Sequence, residues 1–229
     1  MIKAILWDID GTILDFKEAE YYGMKNCFAH FGLGECTDEM IATYAAINDK
    51  YWEMLERKEV TRQELFTARF KEFFDGEGIV FDKLVEFNKE YQHQLSTLIF
   101  FRDNGYELIK ELKGRIKQYA VTNGSYNVQK HKLEKSGLKE LFEDCFISDQ
   151  IGVEKPNVEF FDHVKKAIGP LADDEMIIVG DSLTSDMKGG NSAGILCCWY
   201  NPFEKKDTKA SEKAEKKLNK KRNSDRYVD

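Results

Sequence analysis

A chain of 229 residues, 42% apolar and 33% charged, is long enough for one sizeable α/β core with an insert, and no apolar stretch in it approaches membrane-spanning length. Its formal charge of −7 argues against non-specific attachment to nucleic acid or to an anionic membrane surface. Five cysteines, an odd count with no CxxC spacing, point to a reduced cytoplasmic protein, and the short apolar run before Asp8 is too brief for a signal peptide.

The first predicted strand is Ala4-Ile5-Leu6-Trp7, apolar on both faces as a central parallel strand should be. It ends in Asp8-Ile9-Asp10-Gly11-Thr12. Residues 16–98 then read as helix throughout, with aromatic and aliphatic residues at three- and four-residue spacing, as in Leu65, Phe66, Phe70, Phe73 and Phe74. Thr37 and Thr61 are expected N-caps, and Glu64 completes a capping box with Thr61. Alternation follows: a helix over 106–112, a strand over 116–121 ending in Thr122-Asn123-Gly124, and a helix over 128–135 closed by Gly137. A short strand over 145–148 leads to Lys155-Pro156 and to a helix over 158–167 with Asn157 as expected N-cap. A strand over 176–179 ends in Gly180-Asp181-Ser182. A helix over 184–193 and a last strand over 195–200 complete the set, with Cys197 and Cys198 on opposite faces of that strand. Alternation of this kind builds a parallel sheet with helices on both faces.

The polar clusters fall at the C-terminal ends of strands, where open parallel sheets bind ligands. Asp8 and Asp10, two apart in extended chain, are expected to point the same way and to serve as a nucleophile with a general acid, or as a metal pair. Gly11 lets the backbone turn its N–H groups toward an anion. Thr122, Asn123 and Gly124 offer a hydroxyl and backbone amides to phosphate oxygens, and Lys155 brings a cation. Asp181 and Asp186 add oxygen donors that suit Mg²⁺. Each cluster alone has an ordinary counterpart: a capped loop, a common turn, a surface lysine, an acid at a helix start. Their convergence on one crevice is what carries the functional reading.

In this order the four clusters resemble the motifs of the haloacid-dehalogenase-like hydrolases. The likeness covers residues 1 to about 202, and the helical stretch resembles that family's C1-type cap. It implies a Rossmann-like core from residues 1–15 and 99–203, a cap from 16–98, and a remaining tail from 204–229. It also implies Mg²⁺-dependent phosphomonoester hydrolysis. Asp8 attacks phosphorus, and Asp10 protonates the leaving oxygen and later activates water. Asp8, the Asp10 carbonyl and Asp181 hold the metal with Asp186 in support. Thr122 and the amides near Asn123 and Gly124 hold phosphate oxygens, and Lys155 offsets the shared charge. Within the family the likeness is to the pyrimidine 5′-nucleotidase branch. It is carried by Asn48…Trp52…Glu59-Val60-Thr61…Arg69-Phe70, by Val121-Thr122-Asn123-Gly124, by Ile151-Gly152-Val153-Glu154-Lys155-Pro156 and by Cys197-Cys198-Trp199-Tyr200-Asn201. Phe16 and Trp52 are candidates to stack a base, or to pack the cap. The implied partner is a small phosphomonoester, with neither nucleic acid nor membrane, in a monomer or homodimer.

Four rival readings use parts of the same pattern. A haloacid dehalogenase would leave Asp10 and Asp181 surplus. A sugar phosphatase or phosphomutase would keep every motif and differ in the cap. An inactive binding protein would not need Asp8, Asp10, Lys155 and Asp181 together. A dinucleotide-binding domain would need a GxGxxG loop, which is missing. Relatives usually add a short strand and helix after the last strand, whereas residues 204–229 here carry ten Lys/Arg against six Asp/Glu. That tail is expected to be a solvated helix or disordered, with a less covered sheet flank beside it.

Overall fold

The computed structural model describes residues 1–202. Strand β1 (Ala4–Trp7) lies at the centre of a five-stranded sheet. Its companions are β2 (Lys117–Thr122), β3 (Asp144–Ile147), β4 (Met176–Gly180) and β5 (Leu196–Trp199), in the spatial order β3-β2-β1-β4-β5 with every pairing parallel. Ala4 is in register with both Lys117 and Met176. The chain therefore works outward from β1 on each side, which leaves a crevice beyond the carboxyl end of β1.

The two faces of β1 explain its unbroken apolar run. Ala4 and Leu6 pack with Phe160, Phe161 and Val164 of α8 (Val158–Ile168), which follows the short α7 (Ser148–Ile151). Ile5 and Trp7 pack with Ile109 of α5 (Gly105–Leu112) and Leu133 of α6 (Tyr126–Lys135). Trp7 Nε1 donates to Gln118 Oε1 at 3.0 Å, so its polar edge is satisfied inside the sheet.

Residues 16–98 hold four helices: α1 (Phe16–Phe31), α2 (Asp38–Glu56), α3 (Arg62–Gly76) and α4 (Leu84–Thr97). Thr37 caps α2, and the Thr61–Glu64 capping box opens α3. The two chain crossings that join this stretch to the sheet run side by side, through an antiparallel bridge between Leu14 and Phe101. Arg102 pairs with Asp15 across it at 2.8 Å. Inside the stretch, Phe28, Phe70, Phe73, Phe74, Phe87, Tyr44 and Tyr91 form one aromatic cluster.

Two local expectations change. Asn157 stands at the N-cap position of α8 but makes no side-chain cap; its Nδ2 donates back to the Glu154 carbonyl at 2.8 Å. The helix expected over 184–193 divides into a π-helical turn, Leu183–Met187, and α9 (Lys188–Ser192). The amides of Asp186 and Met187 both donate to the Ser182 carbonyl at 3.1 Å, which widens that turn. Gly189 and Gly190 follow because a Cβ at either would meet Phe161 or Ile178 of the adjoining layers. The expected tail, residues 204–229, lies outside the described residues, and β5 is an edge strand with Leu196 and Cys198 exposed.

Candidate active site

Asp8 is the first residue beyond β1, and its amide still donates to the Val179 carbonyl of β4 at 2.9 Å. Its position is therefore set by the sheet. Lys155 Nζ lies 2.9 Å from Asp8 Oδ1, 2.6 Å from Asp186 Oδ1 and 2.8 Å from the Val121 carbonyl, and is 1% exposed. Thr12 Oγ1 donates to Asp8 Oδ2 at 2.8 Å. The widened turn after Ser182 brings Asp186 to this ammonium, where its other oxygen accepts from the Ser182 amide.

Burial dominates the electrostatics here. It pushes the Asp8 carboxyl up to about 7, with Lys155 pulling the other way and the neighbouring Asp186 adding to the rise. Burial likewise raises Asp186 against the pull of Lys155. Lys155 is drawn down by burial, but Asp186 and Asp8 outweigh that and hold its ammonium above the ordinary range.

Asn123 acts on the loop that carries Lys155. Its Oδ1 accepts from the Lys155 amide and its Nδ2 donates to the Lys155 carbonyl, each at 2.8 Å. What Asn123 can offer an anion is therefore its backbone N–H. Thr122 is buried, and its hydroxyl accepts from the Gly124 amide at 3.3 Å. Asp181 follows β4, its carbonyl held by Trp199 Nε1 at 2.9 Å. A Cβ on Gly11 would stand 2.7 Å from Asp181 Oδ1, and Gly11 has φ of 95°, so two demands converge on glycine there.

Asp10 does not share partners with Asp8. The chain leaves the strand at Ile9, where the amides of Ile13 and Leu14 both return to the Ile9 carbonyl. Regular extended chain therefore ends one residue before Asp10. The Asp10 carboxylate instead meets Gln129 Nε2 at 2.5 Å and Lys132 Nζ at 2.6 Å, both from α6.

Three residues of this neighbourhood were not singled out from sequence. Gln129 and Lys132 lie among Val128 and Leu133 on the buried face of α6; polar residues on a core face are the signal that could have found them. Arg62, the first residue of α3, reaches across to the sheet loops. It donates to the Asn123 carbonyl at 3.0 Å, to Ser148 Oγ at 2.9 Å and to Glu154 Oε1 at 3.0 Å. Trp52 lies beneath its guanidinium at 5.7 Å, and Phe16 beneath Lys132 at 5.5 Å, so both candidate stacking rings already carry a cation. A cavity of about 390 Å³ opens beside Arg62, lined by Leu55, Lys58, Gly152 and Glu154 among others; none of Asp8, Lys155 or Asp181 lines it.

Asp8, Asp181 and Asp186 each present an oxygen within 4.8 Å of the others. Three carboxylate oxygens clustered at a strand-end crevice are a hard donor set that fits Mg²⁺. Glycines at 11 and 180 keep the space around these carboxylates clear, since a Cβ at Gly180 would overlap the Asp186 carboxyl.

The family model of haloacid dehalogenase-like hydrolases matches residues 5–200, and the chain belongs to that family. It is 35% identical over 205 residues to the HAD-hydrolase YfnB of Bacillus subtilis, covering 87% of this chain and 84% of that protein. The solved structure of YfnB bound to magnesium superposes with a TM-score of 0.85 at 33% identity, over 90% of each chain. The pyrimidine 5′-nucleotidase PynA of Streptococcus pneumoniae is 33% identical over 201 residues, covering 87% of this chain and 84% of its own. The pyrimidine 5′-nucleotidase YjjG of Escherichia coli is 27% identical over 202 residues, covering 88% and 87%. No helix among the described residues is long and apolar enough to cross a membrane.

Proposed function

We propose that this hydrolase is an Mg²⁺-dependent phosphomonoesterase that works through an aspartyl-phosphate on Asp8, and that its substrates are (deoxy)pyrimidine nucleoside 5′-monophosphates. The observation that carries the chemistry is the buried Asp8 carboxylate, braced by Lys155 and Thr12 beside Asp181 and Asp186. The substrate class is supported by likeness to PynA and YjjG, each a pyrimidine 5′-nucleotidase by name.

An Asp8 oxygen forms a bond to phosphorus as the bond from phosphorus to the ester oxygen breaks. Asp10 gives the departing oxygen a proton. Water then attacks phosphorus, Asp10 takes back a proton, and Asp8 is released with inorganic phosphate. Asp8, Asp181 and the Asp10 carbonyl would hold Mg²⁺ with Asp186 in support, and the ion would supply positive charge against that of the phosphate. Lys155 shares that task at the nucleophile, where carboxylate and phosphate must approach each other. Thr122 and the backbone amides near Asn123 and Gly124 would take phosphate oxygens.

The test is phosphate release with Mg²⁺ from UMP, dUMP, TMP, purine monophosphates and sugar phosphates, with Asp8→Asn as control. Turnover of pyrimidine nucleotides that is lost in the variant supports both halves of the reading. Turnover confined to sugar phosphates keeps the chemistry and removes the nucleotidase assignment. Interconversion of sugar phosphates without net release would make the chain a mutase.

A further inference from the structure

Both oxygens of the Asp10 carboxylate are taken by one helix. Gln129 and Lys132 are 1% and 2% exposed and stand three residues apart on α6, on the same face. Two side chains of this kind are rarely so deeply buried. Gln129 Oε1 is, among the described residues, a buried acceptor with no donor, which costs stability. Gly124 makes the approach possible, because a Cβ there would overlap the Gln129 amide. The fold thus omits a side chain from the phosphate loop and leaves an acceptor unpaired, and in return Gln129 reaches Asp10. Lys132 also lies over Phe16, the first residue of α1, so one ammonium touches both Asp10 and the start of the helical insert.

We infer that Gln129 and Lys132 are positioning residues that hold Asp10 in one orientation and receive the carboxylate it becomes once its proton has passed to the leaving oxygen. The inference rests on the phosphomonoesterase reading above and adds a specific consequence. An alkoxide leaving group such as the 5′-oxygen of a nucleoside needs a proton as it departs, while p-nitrophenolate leaves without one. A general acid contributes about 10²–10⁴-fold to such a step. Loosening Asp10 should therefore slow the nucleotide far more than the aryl ester. Neither side chain contacts Asp8 or Lys155, so the nucleophile keeps its own supports. A purely structural tie between α6 and the first loop would slow both esters alike.

The experiment uses the full chain with Mg²⁺ and three variants: Lys132→Met, Gln129→Leu and, as the conservative change, Lys132→Arg. Values of kcat and KM are measured on a nucleoside 5′-monophosphate and on p-nitrophenyl phosphate, and crystal structures of the parent and Lys132→Met are compared. Lys132→Met is expected to lower kcat on the nucleotide about tenfold or more beyond any loss on the aryl ester, with little change in either KM; this margin is a fraction of what a general acid contributes. Lys132→Arg should recover most of that loss, and Asp10 in the Met variant should occupy more than one rotamer. Equal losses on both esters, or an Asp10 that stays in place, would overturn the inference. If the parent hydrolyses neither ester, the crystal structures still decide: a displaced Asp10 keeps the clasp and removes the phosphatase reading, an unmoved one removes the clasp. Should Lys132→Met not fold, Gln129→Leu supports the same comparison.

Discussion

The crevice at the strand ends and the interior of the helical stretch are both buried, yet they are built from opposite materials. Within residues 16–98 the centre is aromatic: Tyr44 stacks on Phe70 at 5.2 Å, and Phe87 meets Phe28, Phe70, Phe74 and Phe81. Some of the polar groups threaded through it are matched in a chain. Arg69 donates to Asn48 at 2.7 Å, Asn48 donates to Glu20 at 3.0 Å, and Lys17 pairs with Glu20 at 3.2 Å. At the crevice, Asp8 and Asp186 are gathered around Lys155, with Asp181 close to both. The helical stretch spends its polar residues on internal matching, while the crevice concentrates negative charge where a cation is called for. Arg62 belongs to the first region by sequence and to the second by contact, and it ties α3 to the loops beyond β2 and β3.

Replacing the centre of each region should separate them. Lys155→Met leaves Asp8 and Asp186 buried with no counter-charge. Breaking a buried pair in this way typically costs about 3–5 kcal/mol. Phosphate release should fall by more than about a hundredfold, since a charge aimed at the reacting centre is lost. Added Mg²⁺ should raise the Tm of this variant more than that of the parent. A Tm unchanged without metal would break the claim that Lys155 balances the crevice.

Phe70→Ala should cost a similar 3–5 kcal/mol, through lost contacts and the cavity left behind. Its cost should not depend on metal: Mg²⁺ should shift the Tm of this variant and of the parent equally. A metal-dependent cost would mean that the aromatic cluster and the crevice are energetically joined.

The smallest effect is one of pH. Asp8 is raised from 3.8 to about 7 in the folded chain, so the native state binds more protons than the unfolded one across that interval. Its contribution to stability then declines as pH rises from about 4 to about 7. Asp8→Asn lacks that decline. In chelator, the variant should be more stable than the parent at pH 7 by on the order of 2–4 kcal/mol, with the gap closing toward pH 4. A gap that widens on acidification would reverse the sign and refute the burial argument.

Much of the fold and the crevice was legible in the sequence, for a physical reason. Central parallel strands are short apolar runs, and chemistry sits where they end. Ala4-Ile5-Leu6-Trp7 followed by Asp8, and the strand before Asp181, could be read directly. What escaped depended on where the chain turns after each strand. The tight turn at Ile9 sets Asp10 against Gln129 and Lys132 of α6, partners that no local pattern announces. The π-helical turn at Leu183–Met187 adds a residue that no helical periodicity announces, and it is what brings Asp186 to Lys155. Nothing local singles out Arg62, because its hydrogen-bond partners lie more than sixty positions away in sequence.

The central claim is that Asp8 becomes covalently phosphorylated. The most direct measurement mixes the chain with Mg²⁺ and a ³²P-labelled pyrimidine nucleoside monophosphate, quenches with acid within milliseconds, and maps the label. The account predicts label on the peptide that carries Asp8, released by hydroxylamine as an acyl phosphate would be, and absent from Asp8→Asn. Phosphate release with no label on Asp8, or label that persists in Asp8→Asn, would contradict it.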